Sequence, residues 1–416
     1  MNTVYLKYII ILITFCANGV ISAQDDPYQI EYLDFINYTD NKFILPDDTG
    51  NYERLFDLFN RLVLQGKGQI NILHIGDSHI QADYLSGRIR QRLQTFFQGG
   101  LGGRGFVFPY NVAKTNNPYN LSVTYSGAWE GCKNTEAIKN CDLGLSGISV
   151  TTYDSISSIS IALRDTDHPK YDFNRIKIFH NTDSTSYSIK VDNYSVKQTV
   201  IDNDTLGYTL FILQDHLDSL NLRFIKTADC QRSFTLHGIS LETNDPGIVY
   251  HSIGINGAEV ESFLRCNLFT RHLKALDPDW IIISLGTNDC YPEEFDKNAF
   301  GQKYEQLLQK IYSTDKDVAI LLTVPGDSYR HRKFLNTNTG LVQEEIFRVA
   351  KKYNCAVWDL YTVMGGLNSI YEWYKNDLTA KDKLHLNKNG YFLQGDLFFN
   401  AFLKAYDEYI EKGTGH

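Results

Sequence analysis

Asn71-Ile-Leu-His-Ile-Gly76-Asp-Ser78-His-Ile-Gln-Ala-Asp83-Tyr84 is the stretch that sets the architecture of this chain. The run Ile72-Leu-His-Ile75 is too continuously apolar for a half-exposed strand and predicts one buried on both faces. Gly76-Asp-Ser78 follows as a tight turn, and Ile80, Tyr84, Leu85, Ile89, Leu93 and Phe96 then recur at helical spacing. Strand, turn and helix in this order put the hydroxyl of Ser78 at the carboxyl edge of a sheet, where open α/β sheets take their ligands.

The same texture returns after residue 246. Gly247 to Ser252, Trp280 to Leu285, Val318 to Val324 and Cys355 to Leu360 read as strands. Phe300, Tyr304, Leu307, Leu308 and Ile311 form one helix face, Leu341, Val342, Ile346 and Val349 another, and a last helix is expected from about Asn389 to Tyr409. Strands alternating with helices predict a three-layer α/β fold around a parallel sheet. Between residues 111 and 245 the period changes to two, in Ile159, Ile161 and Leu163, in Tyr187, Ile189 and Val191, in Leu220, Leu222 and Phe224, and in Phe234 and Leu236. That segment reads as an all-β sandwich inserted into the α/β domain, which is then discontinuous over 24–110 and 246–416. Residues 24 to about 50 are polar, lack a clear period and read as a lead-in.

The chain has 416 residues, enough for two or three cores or for one large domain with an insertion. Its net charge of −9 disfavours nucleic acid and anionic membrane surfaces as partners. Met1 to Ala23 carries Lys7, an apolar stretch from Tyr8 and the small residues Ser22-Ala23, the pattern of a cleaved secretory signal. A membrane anchor is the alternative, but the apolar stretch is shorter than the ~20 residues that span a bilayer. Phe15 before Cys16 argues against a lipid anchor. The expected mature chain is exported, periplasmic or secreted, without stable membrane insertion. Six cysteines follow the signal and none forms a CxxC pair, so a structural zinc site is not expected. Cys132 and Cys141 bracket a short loop and are candidates for a disulfide, while the others read as small buried residues.

Four segments carry candidate chemistry. Ser78 lies at a helix N-terminus, whose N–H groups can meet a developing oxyanion, although an ordinary helix-capping serine reads the same way. Asp382-Lys-Leu-His385 can supply an imidazole with a carboxylate on its other nitrogen, which a serine needs to become nucleophilic. Gly286-Thr-Asn288-Asp289 follows the strand ending at Leu285 and brings a side-chain amide to the same edge. Gly254-Ile-Asn-Gly257 follows another strand and offers a backbone N–H.

Taken in order, these four blocks resemble the SGNH hydrolases, or GDSL esterase family, over residues 68–110 and 246–410. The resemblance implies a flavodoxin-like three-layer SGNH fold with Ser78 as nucleophile, His385 as general base and later acid, and Asp382 orienting it. It implies an oxyanion hole of the Ser78 N–H, the Gly257 N–H and the Asn288 amide, with neither metal nor organic cofactor. His79 departs from the pattern, since family members often carry Leu there.

More narrowly, Gly76-Asp-Ser-His79, the Gly-rich Gly99 to Phe106 and the rejoining segment Gly247 to Ala258 resemble exported peptidoglycan O-acetylesterases, whose inserted β-sandwich is similar to a carbohydrate-binding module. An acetylated glycan, peptidoglycan first, is the implied substrate. The 27 Tyr and four Trp include faces able to stack on sugar rings. The basic cluster Arg330-His-Arg-Lys333 follows the strand ending at Val324 and is expected at the catalytic edge. Two other readings stay open: a lysophospholipase or thioesterase of the same family, and a glycan-binding protein with a vestigial hydrolase domain.

Overall fold

The strand Gln69–Gly76 lies in the middle of six parallel strands, with Trp280–Ser284, Ala319–Val324 and Ala356–Asp359 on one side and Gly247–Gly254 and Leu101–Val107 on the other. Parallel strands are buried on both faces, and all six residues of Ala319–Val324 are buried. The computed structural model describes residues 28–96, 99–136, 141–164, 169–192 and 198–414, so the expected signal 1–23 lies outside them. From Tyr32 onward the chain is one compact unit.

Helices cover the sheet in two sets. Gly50–Gln65 and Lys388–Thr414 meet through Phe56, Phe59, Phe402 and Tyr406, and Trp280 stacks on Phe398 and Phe402. Leu307 and Leu308 from Lys297–Tyr312, with Val342, Ile346 and Val349 from Asn338–Tyr353, pack in one core with Leu73, Ile75, Ile281 and Ile283. Leu341, expected on the buried face, is instead exposed.

The expected lead-in is structured at its end. Phe43–Ile44 pairs antiparallel with Ala356–Asp359 as the edge strand, and a helix absent from the sequence reading, Gly50–Gln65, follows.

The region 121–242 forms two layers of antiparallel strands, one of which is a continuation of the parallel sheet. Phe234–Glu242 pairs antiparallel with Leu101–Val107, and Phe173–His180, Tyr208–Leu217 and Gln198–Asn203 extend the sheet outward. A second sheet, in the order Leu121–Ser126, Ile156–Leu163, Ser219–Ile225, Ser188–Val191, is separate from it. The Gly-rich segment is therefore the strand joining the two parts. At Gly105, φ is 76° and a Cβ would lie 2.4 Å from the Tyr250 carbonyl oxygen, so no larger residue fits. One apolar core runs from Ile281 and Leu73 through Phe106, Phe179 and Ile239 to Ile161 and Leu222.

Cys132 and Cys141 are joined by a disulfide, and Cys266, Cys290 and Cys355 are buried. Cys230, expected to be buried, is exposed. Among the described residues no helix is long and apolar enough to cross a membrane.

Candidate active site

Because the central strands run parallel, their carboxyl ends share one edge, and the loops leaving it meet there. Asp77 caps the turn after Gly76 by accepting the His79 N–H, which starts the short helix Ser78–Gln81 directly at the strand end. Ser78 Oγ lies 3.0 Å from His385 Nε2, and His385 Nδ1 lies 2.8 Å from Asp382 Oδ2. A carboxylate on Nδ1 fixes the proton there and leaves Nε2 to accept from the Ser78 hydroxyl. Asp382 Oδ1 also accepts the N–H groups of Leu384 and His385, each at 3.0 Å. Burial opposes the charge on Asp382, but the His385 ring and these N–H donors outweigh it and hold the carboxyl well below the usual carboxylate range.

The loop bearing Asp382 and His385 is clamped from outside. The Lys383 ammonium sits among the rings of Tyr329, Tyr374 and Tyr371, at 4.7, 4.9 and 5.3 Å from their centroids. The Tyr329 N–H donates to the Lys383 carbonyl at 2.8 Å. Tyr329–Arg330 pairs with Phe334–Leu335, so the hairpin carrying Arg330-His-Arg-Lys333 adjoins this loop.

Gly257 has a φ of 78°, in the left-handed region that favours glycine, and a Cβ there would meet open space. Its neighbour Asn256 donates its N–H to Gln81 Oε1 at 2.7 Å, tying the segment to the Ser78 helix. Asn288 reaches the same edge with its amide engaged, donating to the Ala258 carbonyl at 3.0 Å and to Asp77 Oδ2 at 3.2 Å.

Asp289 accepts the Val260 N–H, yet burial pushes its carboxyl up to about 7, with the charges of Glu259 and Asp77 adding to the effect. Between its ordinary value of 3.8 and about 7, the folded chain holds a proton there that the unfolded chain has lost. This group's contribution to stability is therefore present below pH 4 and lost as pH rises through 7. Asp289→Asn keeps an acceptor for Val260 without the buried charge, so its melting temperature should exceed the wild type's by several degrees at pH 8 and match it near pH 4. Equal differences at the two pH values, read by thermal denaturation, would show that Asp289 is not charged at pH 8.

Sequence reading missed the groups that hold these residues in place. Asp77 is the acceptor shared by His79 and Asn288, Gln81 links the Ser78 helix to Asn256, and Lys383 fills the tyrosine cage. The one available signal was His79, a polar residue where an apolar one is common. Among the described residues no group of three or more His, Cys, Asp or Glu side chains gathers to hold a metal ion.

The model of the GDSL-like lipase/acylhydrolase family matches residues 229–393, a span that contains the Gly257, Asn288 and Asp382–His385 blocks. Ser78 lies upstream of that span, on the far side of the inserted β region. The chain is similar in structure to a peptidoglycan O-acetylesterase, with a TM-score of 0.71 at 22% identity over 90% of this chain and 99% of that one. It is also similar to a GDSL-like lipase from Bacteroides thetaiotaomicron, with a TM-score of 0.29 at 20% identity over 38% of this chain and 76% of that one. For a carbohydrate esterase of family 3 from Talaromyces cellulolyticus the TM-score is 0.30 at 16% identity, over 39% of this chain and 73% of that one. No curated protein matches. Residues 229–393 thus match the GDSL-like lipase/acylhydrolase family, and the fold is that of an SGNH hydrolase whose central sheet is extended by an added antiparallel β region.

Proposed function

We propose that this esterase is exported and removes O-acetyl groups from a carbohydrate, peptidoglycan first, through an acyl-enzyme on Ser78. The observation that carries the reading is the continuous row Ser78 Oγ, His385 Nε2, His385 Nδ1, Asp382 Oδ2, with both links within hydrogen-bond reach. Ser78 Oγ attacks the acetyl carbonyl carbon while its proton passes to His385 Nε2, and Asp382 stabilises the imidazolium that forms. The tetrahedral oxyanion is held by the N–H groups of Ser78 and Gly257 and by the Asn288 amide, which gives up its longer contact to Asp77. Collapse expels the sugar oxygen, which takes the proton from His385 and leaves as the hydroxyl. Water then attacks the acyl-enzyme by the same route in reverse, releasing acetate.

A polar cleft in the added β region supports a glycan. It encloses about 710 Å³, with Trp129 and Tyr153 among the hydroxyl and amide groups of Thr151, Thr235, Ser233 and Asn181 in its lining. Its rim at Lys114 is one residue from Thr115, whose hydroxyl accepts from Gln81 and Asn256 beside the catalytic edge. The added region thus positions polymer and contributes no catalytic group. The cavity behind His79 and Leu384 measures about 50 Å³, room for a water molecule and not for a long acyl chain.

The test compares acetyl with octanoyl model esters and then measures acetate release from O-acetylated peptidoglycan and from other O-acetylated polysaccharides. Acetyl preference with release from a glycan is expected. Octanoyl preference without release would turn the reading to a lysophospholipase or thioesterase, and no hydrolysis of any ester would turn it to a glycan-binding protein.

A further inference from the structure

The ring of His79 bridges two parts of the site that the triad leaves unconnected. Its Nδ1 lies 2.8 Å from Asp77 Oδ1 and its Nε2 lies 3.4 Å from the Leu384 carbonyl oxygen. Both neighbours are acceptors, and a neutral imidazole has a single N–H. Only the imidazolium donates to both. The ring is largely covered, at 18% side-chain exposure, and stacks on the His385 ring with centroids 5.1 Å apart and planes 26° from parallel. Tyr391 from the last helix meets it edge-on at 5.9 Å.

We propose that His79 is a positioning residue: held between Asp77 and the Leu384 carbonyl, it fixes the loop and ring plane of His385. The inference deepens the proposed role of His385 as base and rests on it. The groups facing His79 are Asp77 from its own turn, Asp382 and His385 from the loop, and Tyr391 from the last helix, while Asp327 borders the same small cavity. Burial works against the charge on His79, but Asp77, the Leu384 carbonyl and Asp382 outweigh it and raise its pKa above the ordinary imidazole value. The stacked ring leaves His385 less freedom to rotate away from Ser78.

The experiment uses His79→Leu and His79→Gln in the full chain. Leu removes both donors and the charge, whereas Gln keeps a donor for the Leu384 carbonyl. On a small acetyl ester, His79→Leu should lower kcat about ten- to a hundredfold, the size expected of a misplaced catalytic group, and change KM by less than about twofold. His79→Gln should recover part of kcat, because the restored bond to the Leu384 carbonyl holds the loop. The His385 Nδ1–H signal by NMR, sharp in the wild type and broadened in His79→Leu, reads the fixed ring whether or not any ester is hydrolysed, which separates this inference from the esterase reading. An unchanged Nδ1–H signal in folded His79→Leu would overturn the fixed ring plane. Full kcat in folded His79→Leu would overturn the positioning part.

Discussion

Ser78→Ala is expected to abolish hydrolysis of a small acetyl ester, with a loss of turnover on the order of 10⁴- to 10⁶-fold, because Ser78 carries the hydroxyl that His385 Nε2 meets. The fold should survive the change. Ser78 is half-buried at the start of its short helix, and its hydroxyl bonds to His385, so the melting temperature should hardly move. His385→Ala should be nearly as severe, and the double variant little worse than either single one, because the two side chains act on one proton transfer. Asp382→Asn should fall between these and the wild type, since it leaves the nucleophile and base in place but loses the carboxylate that fixes the Nδ1 proton. Assays of purified variants with matched melting curves check all three. More than about one percent of wild-type turnover in Ser78→Ala would remove the acyl-enzyme from the proposed mechanism.

The central strand and its turn were legible because a buried parallel strand leaves a continuous apolar run and because the turn residues sit at its end. The four blocks, each at a strand end, meet at one edge of the sheet. Pairing partners were not legible in the same way. A period of two marks Phe234–Glu242 as a strand but says nothing of which neighbour it joins, and Leu101–Val107 has glycine at three of seven positions, so it lacks the β-branched signal of a strand. Its glycines are required because its neighbours leave no room for side chains. The helix Gly50–Gln65 carries Tyr52, Leu55, Phe56, Phe59 and Leu62 at helical spacing, and went unread because it follows a polar segment without a period.

At the site, the residues that do chemistry stood out by type, whereas those that hold them did not. Lys383 reads as an ordinary loop lysine until Tyr329, Tyr371 and Tyr374 surround it, and those tyrosines lie up to 54 positions upstream. Asn288 matched the expected block, yet sequence could not show that its amide already has two acceptors. Long-range partners of this kind are set by packing, and a single sequence records the residue without its neighbour.

Asp83→Asn is expected to be the most destabilising single change at the join between the catalytic edge and the added β region. Asp83 is 1% exposed, and its carboxylate accepts from Arg90 at 2.8 and 3.2 Å, Arg104 at 2.7 Å, Asn120 at 2.7 Å and Ser86 at 2.7 Å. Arg90 and Ser86 belong to the helix Tyr84–Phe96 and Arg104 to the strand shared by both parts, while Asn120 leads into the added region, as does Tyr171, which binds Arg90 at 3.1 Å. Burial alone would push the Asp83 carboxyl up, but Arg104 and Arg90 outweigh it and hold it well below the usual carboxylate range. Asp83 has a φ of 58°, which Asn tolerates, so the substitution removes charge without adding backbone strain. Two buried guanidinium groups would then share no anion, a loss of about 3–5 kcal/mol for a broken buried pair. The depressed carboxyl makes a matching claim about pH: this stabilisation is present above pH 4 and lost as pH falls through the folded value, so the difference between variant and wild type should shrink in acid. Urea unfolding at pH 7 and pH 3 measures both. A cost below about 1 kcal/mol at pH 7 would mean that the arginines find other partners, and that the continuous apolar core alone joins the two regions.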